Sequence, residues 1–424
     1  MRISKIFALK SLVILLVVSY LLLLKPTVWS NQVSACLTLL FSLLLCFKVR
    51  KNIPLFIITL FILYCNYSIV LGEYLIGGNL GTPMNQTKTT EIYGLSINIM
   101  LLFTSILSVF IVGRKRELIN FEIKKYNNIL LFYFIIFVLI LVLLFGVNRG
   151  NYTSYEVSIT PIYEYSTLLL LLSYSVSGGL KLRKTIITVL CVLFIIQDFY
   201  YGGRITSLQI IIFLLITIFL RKLTIKKVIM GAGIGIFINT IVHVYRQNYS
   251  FKSIDIINIF DSLLNSYFVF NTPVFAYYST STHIATSQII ERNEKTESLL
   301  QFVKFIFLGS ERNIGDVTYY SDLYFSNIGG GLIPSHFYFW LDWAGVVLAT
   351  LILLYILSNI GGFRKEFNRI ATVCFIYSVP RWYLYTPLSL FRPILLLFVS
   401  YIILIVINKI MSKVSETSSL RRKS

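Results

Sequence analysis

The chain has 424 residues, of which 56% are hydrophobic and only 13% charged, about half the charged share of a soluble domain. Apolar runs of roughly 17 to 25 residues recur along nearly the whole length, which excludes a soluble protein and marks an all-α, polytopic membrane protein. The net charge of +20 would suit nucleic acid, but its distribution belongs to a membrane topology instead.

In chain order the apolar runs predict about twelve transmembrane helices, near 6–24, 33–47, 53–71, 95–112, 129–147, 161–179, 185–201, 205–220, 228–244, 336–357, 370–386 and 388–408. The first, IFALKSLVILLVVSYLLLL, is too long for a signal-peptide core and has no small-residue cleavage site, so it reads as a retained helix. With the N-terminus inside, alternate connections are cytoplasmic: KVRK, GRKRELINFEIKK, KLRK, RKLTIKK, GFRKEFNR and the tail ending LRRKS. This side carries 26 of the 38 Lys and Arg but 4 of the 18 acids, and the other side 12 basic and 14 acidic residues. Such a bias in short loops is the positive-inside signal, and no nucleic-acid partner is expected. The five cysteines (Cys36, Cys46, Cys65, Cys191, Cys374) all fall inside apolar runs without Cys-x-x-Cys spacing. They read as buried small hydrophobes rather than disulfides or zinc ligands.

The expected organisation is a bundle of nine spans over 1–244, a large outer loop over 245–335, three spans over 336–410, and a basic tail over 411–424. A loop of that length calls for a purpose. Two helices are expected within it, DIINIFDSLLNSYFVFN and TESLLQFVKFIFLG, the second with a Thr N-cap, Glu297 in its first turn and Gly309 closing it. That second helix is apolar around most of its circumference and suits the outer headgroup layer or the flank of the bundle. The seventh and eighth spans are short and are expected to form a tight hairpin.

Charge inside a bilayer is expensive, roughly 2.5 to 3.5 kcal/mol per residue on insertion scales. The midplanes are nearly free of it, and the charges that intrude lie near outer ends: Glu164, Asp198, Arg204, Asp342, Arg381 and Arg392. Functional chemistry is therefore expected at the outer leaflet. Arg204 stands out in YYGGRITSLQ, because Gly202 and Gly203 permit a turn with positive φ. Thr206 and Ser207 then open a helix whose free N–H groups attract anions, and an arginine fork matches phosphate. The bland alternative is a snorkelling arginine held by headgroups or by Asp198. Arg246 leaves the ninth span where the large loop begins, and Arg312, Arg149 and Arg392 complete a cationic outer set. His336, in GGGLIPSHFYFWLDWAG, follows a Gly-rich loop and Pro334 into the membrane and can serve as general base or hydrogen-bonding group. His243 and His283 read as structural. No P-loop, His-Glu-x-x-His or Gly-x-Ser-x-Gly is present. The outer surface also lacks a dense acid cluster for a divalent metal, so no metal or cofactor is expected. The outer Tyr and Trp suit an interfacial belt better than sugar stacking.

With these pieces placed, nearly the full length resembles the O-antigen polymerase (Wzy) family of bacterial membrane glycosyltransferases. The resemblance rests on about twelve spans, a large outer loop before the last three, GGR opening a span, and Arg246 just past the span before the loop. It also rests on the Gly–Pro–Ser re-entry in GGGLIPSHFYFWLDWAGVVL. Two parts of the family pattern are absent. No glutamate follows the Pro-Ser closely, Phe337 to Leu341 supplying none, and His336 or Asp342 stand nearest. The arginine with a glycine eleven residues on is also missing, since Arg149, Arg204 and Arg246 are followed at that spacing by Thr160, Leu215 and Ile257.

The resemblance implies a metal-independent polymerase at the periplasmic face of the bacterial inner membrane, both termini cytoplasmic. Its donor and acceptor are undecaprenyl-diphosphate-linked oligosaccharides, in contact with membrane lipids and with room for a chain-length regulator. Arg204 and Arg246 are implied as catalytic diphosphate partners, Arg312, Arg149 and Arg392 as further binding residues. His336 would orient or deprotonate the acceptor hydroxyl. The alternatives are a lipid-linked oligosaccharide flippase, which needs a cationic cavity through the bilayer centre, and the related ligase. An O-acyltransferase or a non-enzymatic scaffold fits less well.

Overall fold

A computed structural model describes residues 5–23, 25–75, 87, 89–112, 123, 126–147, 160–248, 255, 257, 259, 272–309, 313–327, 329–360, 362 and 365–421. Among these the regular structure is helical, with one isolated bridge between Asn127 and Ser177. In chain order the helices are α1 (Lys5–Leu23), α2 (Val28–Val49), α3 (Ile53–Ile69) with a π-helical extension (Val70–Leu75), α4 (Thr90–Phe110) and α5 (Ile129–Phe145). Then follow α6 (Pro161–Glu164), α7 (Ser166–Val176), α8 (Lys181–Tyr200), α9 (Ile205–Thr217), α10 (Ile225–Asn248), α11 (Thr272–Ile289) and α12 (Arg292–Leu308). The last are α13 (Val317–Asp322), α14 (Ile333–Asn359), α15 (Glu366–Tyr377), α16 (Val379–Leu384) and α17 (Leu388–Arg421).

Each apolar run marked on the sequence falls on helix. Among the described residues, six stretches are long and apolar enough to cross a membrane: Val28–Val49, Ile53–Tyr74, Thr90–Phe110, Ile225–Val242, Ile333–Asn359 and Leu388–Asn408. Others, such as Ile129–Phe145 and Ile205–Thr217, are apolar but shorter. The chain is therefore a helical membrane protein. Short polar side chains start its helices by accepting otherwise orphan N–H groups. Thr27 and Ser30 form a reciprocal capping box at α2. Asn52, Thr89 and Asn128 cap α3, α4 and α5 through the N–H groups of Leu55, Ile92 and Leu131.

The described chain forms two compact units, each assembled from stretches far apart in the sequence. One comprises Met1–Glu117, Lys222–Gly362 and Ser378–Ser389, the other Leu118–Arg221, Phe363–Tyr377 and Leu390–Ser424. In the first unit α2, α3, α4, α11 and α14 pack together. Gly94 lets α4 approach α2, since a Cβ there would collide with the Asn31 amide, and that amide donates to Thr90 O at 2.9 Å. Polar pairs cross this apolar core: Ser34 Oγ donates to Asn98 Oδ1 at 2.7 Å, Asn66 Nδ2 to Ser42 Oγ at 2.7 Å, and Tyr383 Oη to Asn66 Oδ1 at 3.0 Å. In the second unit α8 and α9 form the expected hairpin, with α5 on α7 and α15 on α9. Arg183 at the start of α8 is buried, its guanidinium donating to Asn127 Oδ1 and Ser177 O and lying 5.3 Å from the Phe132 ring centre.

Several expectations need correction. The second loop helix starts one turn earlier than predicted, because Glu291, not Thr296, caps it in a box with Glu294; Gly309, at φ +105°, does close it. It packs on α14 through Phe302 against Trp340 at 4.6 Å, and the Trp340 indole donates to Ser298 Oγ at 3.1 Å. The first loop helix lies almost wholly outside the described residues. Cys36 is exposed, unlike the other four cysteines, because it sits on an outward face of α2. The largest departure is α11, a helix in a stretch read as loop. Every residue from Ala276 to Ser287 on it is buried.

Candidate functional site

In the first unit, three consecutive glycines lead the chain into α14. Gly329, Gly330 and Gly331 have φ of +95°, +82° and +146°, a region that L side chains rarely enter. Ser279 Oγ donates to Gly329 O, Thr318 Oγ to Gly330 O, and Gly331 N–H to Leu384 O. A Cβ on Gly331 would overlap His283 Cε1 and stand 3.1 Å from His336 Nε2. The loop therefore lies flat against two imidazoles. Pro334 then sits in the first turn of α14, where its missing N–H breaks no helical hydrogen bond.

The rings of His283 and His336 lie 4.6 Å apart, centre to centre, tilted by 60°. Both side chains are buried. His336 Nε2 is 3.0 Å from Tyr385 O, and a carbonyl only accepts, so this nitrogen carries a proton. Ser335 Oγ donates to Leu332 O at 2.7 Å and lies 3.1 Å from His283 Nδ1. With the serine proton committed, His283 Nδ1 is the donor and the network assigns the tautomer. Nε2 of His283 is then a bare lone pair, buried and without a partner among the described residues. Burial holds the His283 pKa well below the ordinary histidine value, and the neighbouring His336 lowers it further.

α14 breaks at Leu341 and Asp342. Asp342 has φ +51° and ψ −140°, and a Cβ on Gly345 would overlap Phe337 O. Asp342 is exposed and its carboxylate accepts from Lys295 Nζ at 3.0 Å.

In the second unit, the α8–α9 hairpin carries Arg204. α8 begins with Lys181, Arg183 and Lys184, and Arg221 follows α9. A 20-residue helix is about 30 Å long, so the hairpin holds Arg204 at the end opposite those cations. Gly202 takes φ +72° as the turn requires. Gly203 needs no positive φ, and it is glycine for space, since a Cβ would overlap the Asp198 carboxylate. Gly203 N–H donates to Asp198 O at 2.7 Å. The expectation of free N–H groups at the start of α9 is corrected for Ser207, whose N–H and hydroxyl both donate to Asp198 Oδ2, at 2.8 and 2.7 Å. Arg204 is half-buried at the N-cap position, beside an internal carboxylate cap.

The other predicted residues fall out as follows. Arg392 is half-buried in the first turns of α17 with its guanidinium 6.0 Å from the Tyr165 ring centre. Arg246 lies in the last turn of α10, its side chain outside the described set, and Arg149 and Arg312 lie outside the described residues altogether. His336 and Arg204 fall in different compact units. The sequence reads His283 as structural and Ser335 only as part of the Gly–Pro–Ser re-entry, because no apolar period reveals α11. Pro273 directly after Thr272 is a helix-start signal that could have exposed it. No protein-family model, no curated protein and no solved structure matches the chain.

Proposed function

We propose that the chain is a membrane glycosyltransferase of the O-antigen polymerase type. In this reading it moves a growing glycan from undecaprenyl diphosphate onto the non-reducing sugar of a newly arrived lipid-linked repeat, at the outer face of the bacterial inner membrane. The observation that carries it is the re-entry at Gly329–Gly331, which leads Pro334, Ser335 and His336 into a buried polar cluster among apolar helices. Buried polar groups in a membrane bundle are costly and mark the handling of polar substrates.

The acceptor hydroxyl oxygen attacks the anomeric carbon, the bond from that carbon to the diphosphate breaks, and the electron pair leaves on the diphosphate. Arginine forks suit that charge, and Arg204 and Arg246 are the proposed partners, with Arg312, Arg149 and Arg392 in support. The charge bias of the connecting loops supports an outer-face location for Arg204. The test is a deletion strain. Loss of long surface polysaccharide with single-repeat glycans retained, and restoration by the wild-type gene, is expected. Loss of single repeats as well would instead select a flippase or ligase.

A further inference from the structure

We infer that His283 is the catalytic group that takes the proton from the acceptor hydroxyl, with Ser335 as the positioning residue that aims its ring; this rests on the transferase reading above. His336 looks like the better base on sequence, since it follows the Pro-Ser. Its hydrogen bonds say otherwise. Nε2 is committed as a donor to Tyr385 O, and the backbone of Gly331 is a second partner of the ring. His283 presents the opposite arrangement. Nδ1 donates to Ser335 Oγ, itself fixed by its bond to Leu332 O and approached by the Thr280 hydroxyl at 3.3 Å. Nε2 is left as an acceptor with no donor among the described residues, fully buried. An orphan acceptor in an apolar interior is unfavourable unless a donor arrives. A hydroxyl is such a donor, and the proposed acceptor is a sugar hydroxyl.

The cover over this ring is the glycine segment. Gly331 lies against the Nδ1–Cε1 edge of the ring, where no larger residue fits. Gly329 faces open space, a Cβ on it meeting nothing within 4 Å. The segment is tacked down through Gly329 O, Gly330 O and Gly331 N–H, and release of those few bonds opens the Cε1 side of the ring to a hydroxyl. In the step, the proton passes from the acceptor oxygen to His283 Nε2 as that oxygen bonds the anomeric carbon. The anomeric carbon–diphosphate bond breaks, its electron pair staying on the diphosphate. The imidazolium keeps its Nδ1–H on Ser335 and releases the new proton to water as product leaves.

The chain has three histidines, so ¹⁵N-histidine labelling of the full-length protein in lipid nanodiscs gives three resolvable rings. One ring is expected to carry its proton on Nδ1 with a bare Nε2, and that signal should vanish in His283→Gln. A protonated Nε2 on His283 would overturn the inference. In the deletion strain, His283→Gln should slow polymer formation by about 10²- to 10⁴-fold, the range for removing a general base. Normal polymer from His283→Gln would sink the assignment while leaving the transferase reading intact. If the wild-type gene itself fails to restore polymer, the transferase reading fails first. Should His283→Gln not accumulate, Ser335→Ala decides: it must shift the His283 Nδ1 resonance and slow polymerisation, and an unchanged resonance refutes the positioning.

Discussion

Asp198 and Ser207, nine residues apart, are joined twice: the carboxylate accepts the Ser207 backbone N–H at 2.8 Å and its hydroxyl at 2.7 Å. This side chain caps α9 from the end of α8, so it closes the hairpin and neutralises a helix N-terminus together. Asp198→Ala should lower stability by about 1–2 kcal/mol, the scale of a lost cap, and Asp198→Asn should recover part of it by keeping an acceptor. Thermal unfolding in detergent checks both. Equal melting of wild type and Asp198→Ala would show the cap to be idle.

Arg204 lies at the tip that this cap holds. If it meets a diphosphate, Arg204→Ala forfeits charge-assisted hydrogen bonds worth about 1.5–3 kcal/mol, a loss of roughly 10- to 100-fold in rate. Polymer should shorten or disappear at unchanged protein level, and Arg204→Lys should restore little, since lysine lacks the planar fork. Full-length polymer from Arg204→Ala would end this assignment.

Asp342 sets two opposed effects against each other. Its backbone, at φ +51°, is strained for a residue with a Cβ, by about 1–3 kcal/mol. Its bond to Lys295 is exposed on the aspartate side and worth about 0–1 kcal/mol. The strain outweighs the ion pair, so Asp342→Gly should raise stability by about 1 kcal/mol. Asp342→Ala should not, because it loses the ion pair and keeps the strain. Chemical unfolding of the two variants side by side tells backbone strain from ion pairing.

Tyr383 Oη donates to Asn66 Oδ1 inside the first unit, and both side chains are buried. Tyr383→Phe keeps the ring and deletes that donor. Interhelical hydrogen bonds in membrane proteins average about 0.6 kcal/mol and reach about 1.7, so a loss within that range is expected. The double variant with Asn66→Leu should cost less than the two single losses added together, as a coupled pair does.

The amino-acid sequence by itself determines the apolar helices and the bias of their connections, because a bilayer demands long hydrocarbon runs and leaves cations in short loops. The hairpin at Gly202 is legible too, since only glycine takes that turn freely. α11 is not. Its hydroxyls answer their own helix, Thr280 to Ala276 O, Thr282 to Ser279 O and Thr286 to Thr282 O, and such back-bonding lets a Ser/Thr-rich stretch be buried without any apolar period to reveal it. The tertiary structure alone decides that His283 stands ring to ring with His336, and that Ser335 and Tyr385 O take up one nitrogen of each. Those facts depend on a serine 52 residues away and on a carbonyl 49 residues away, contacts that no local pattern of residues encodes.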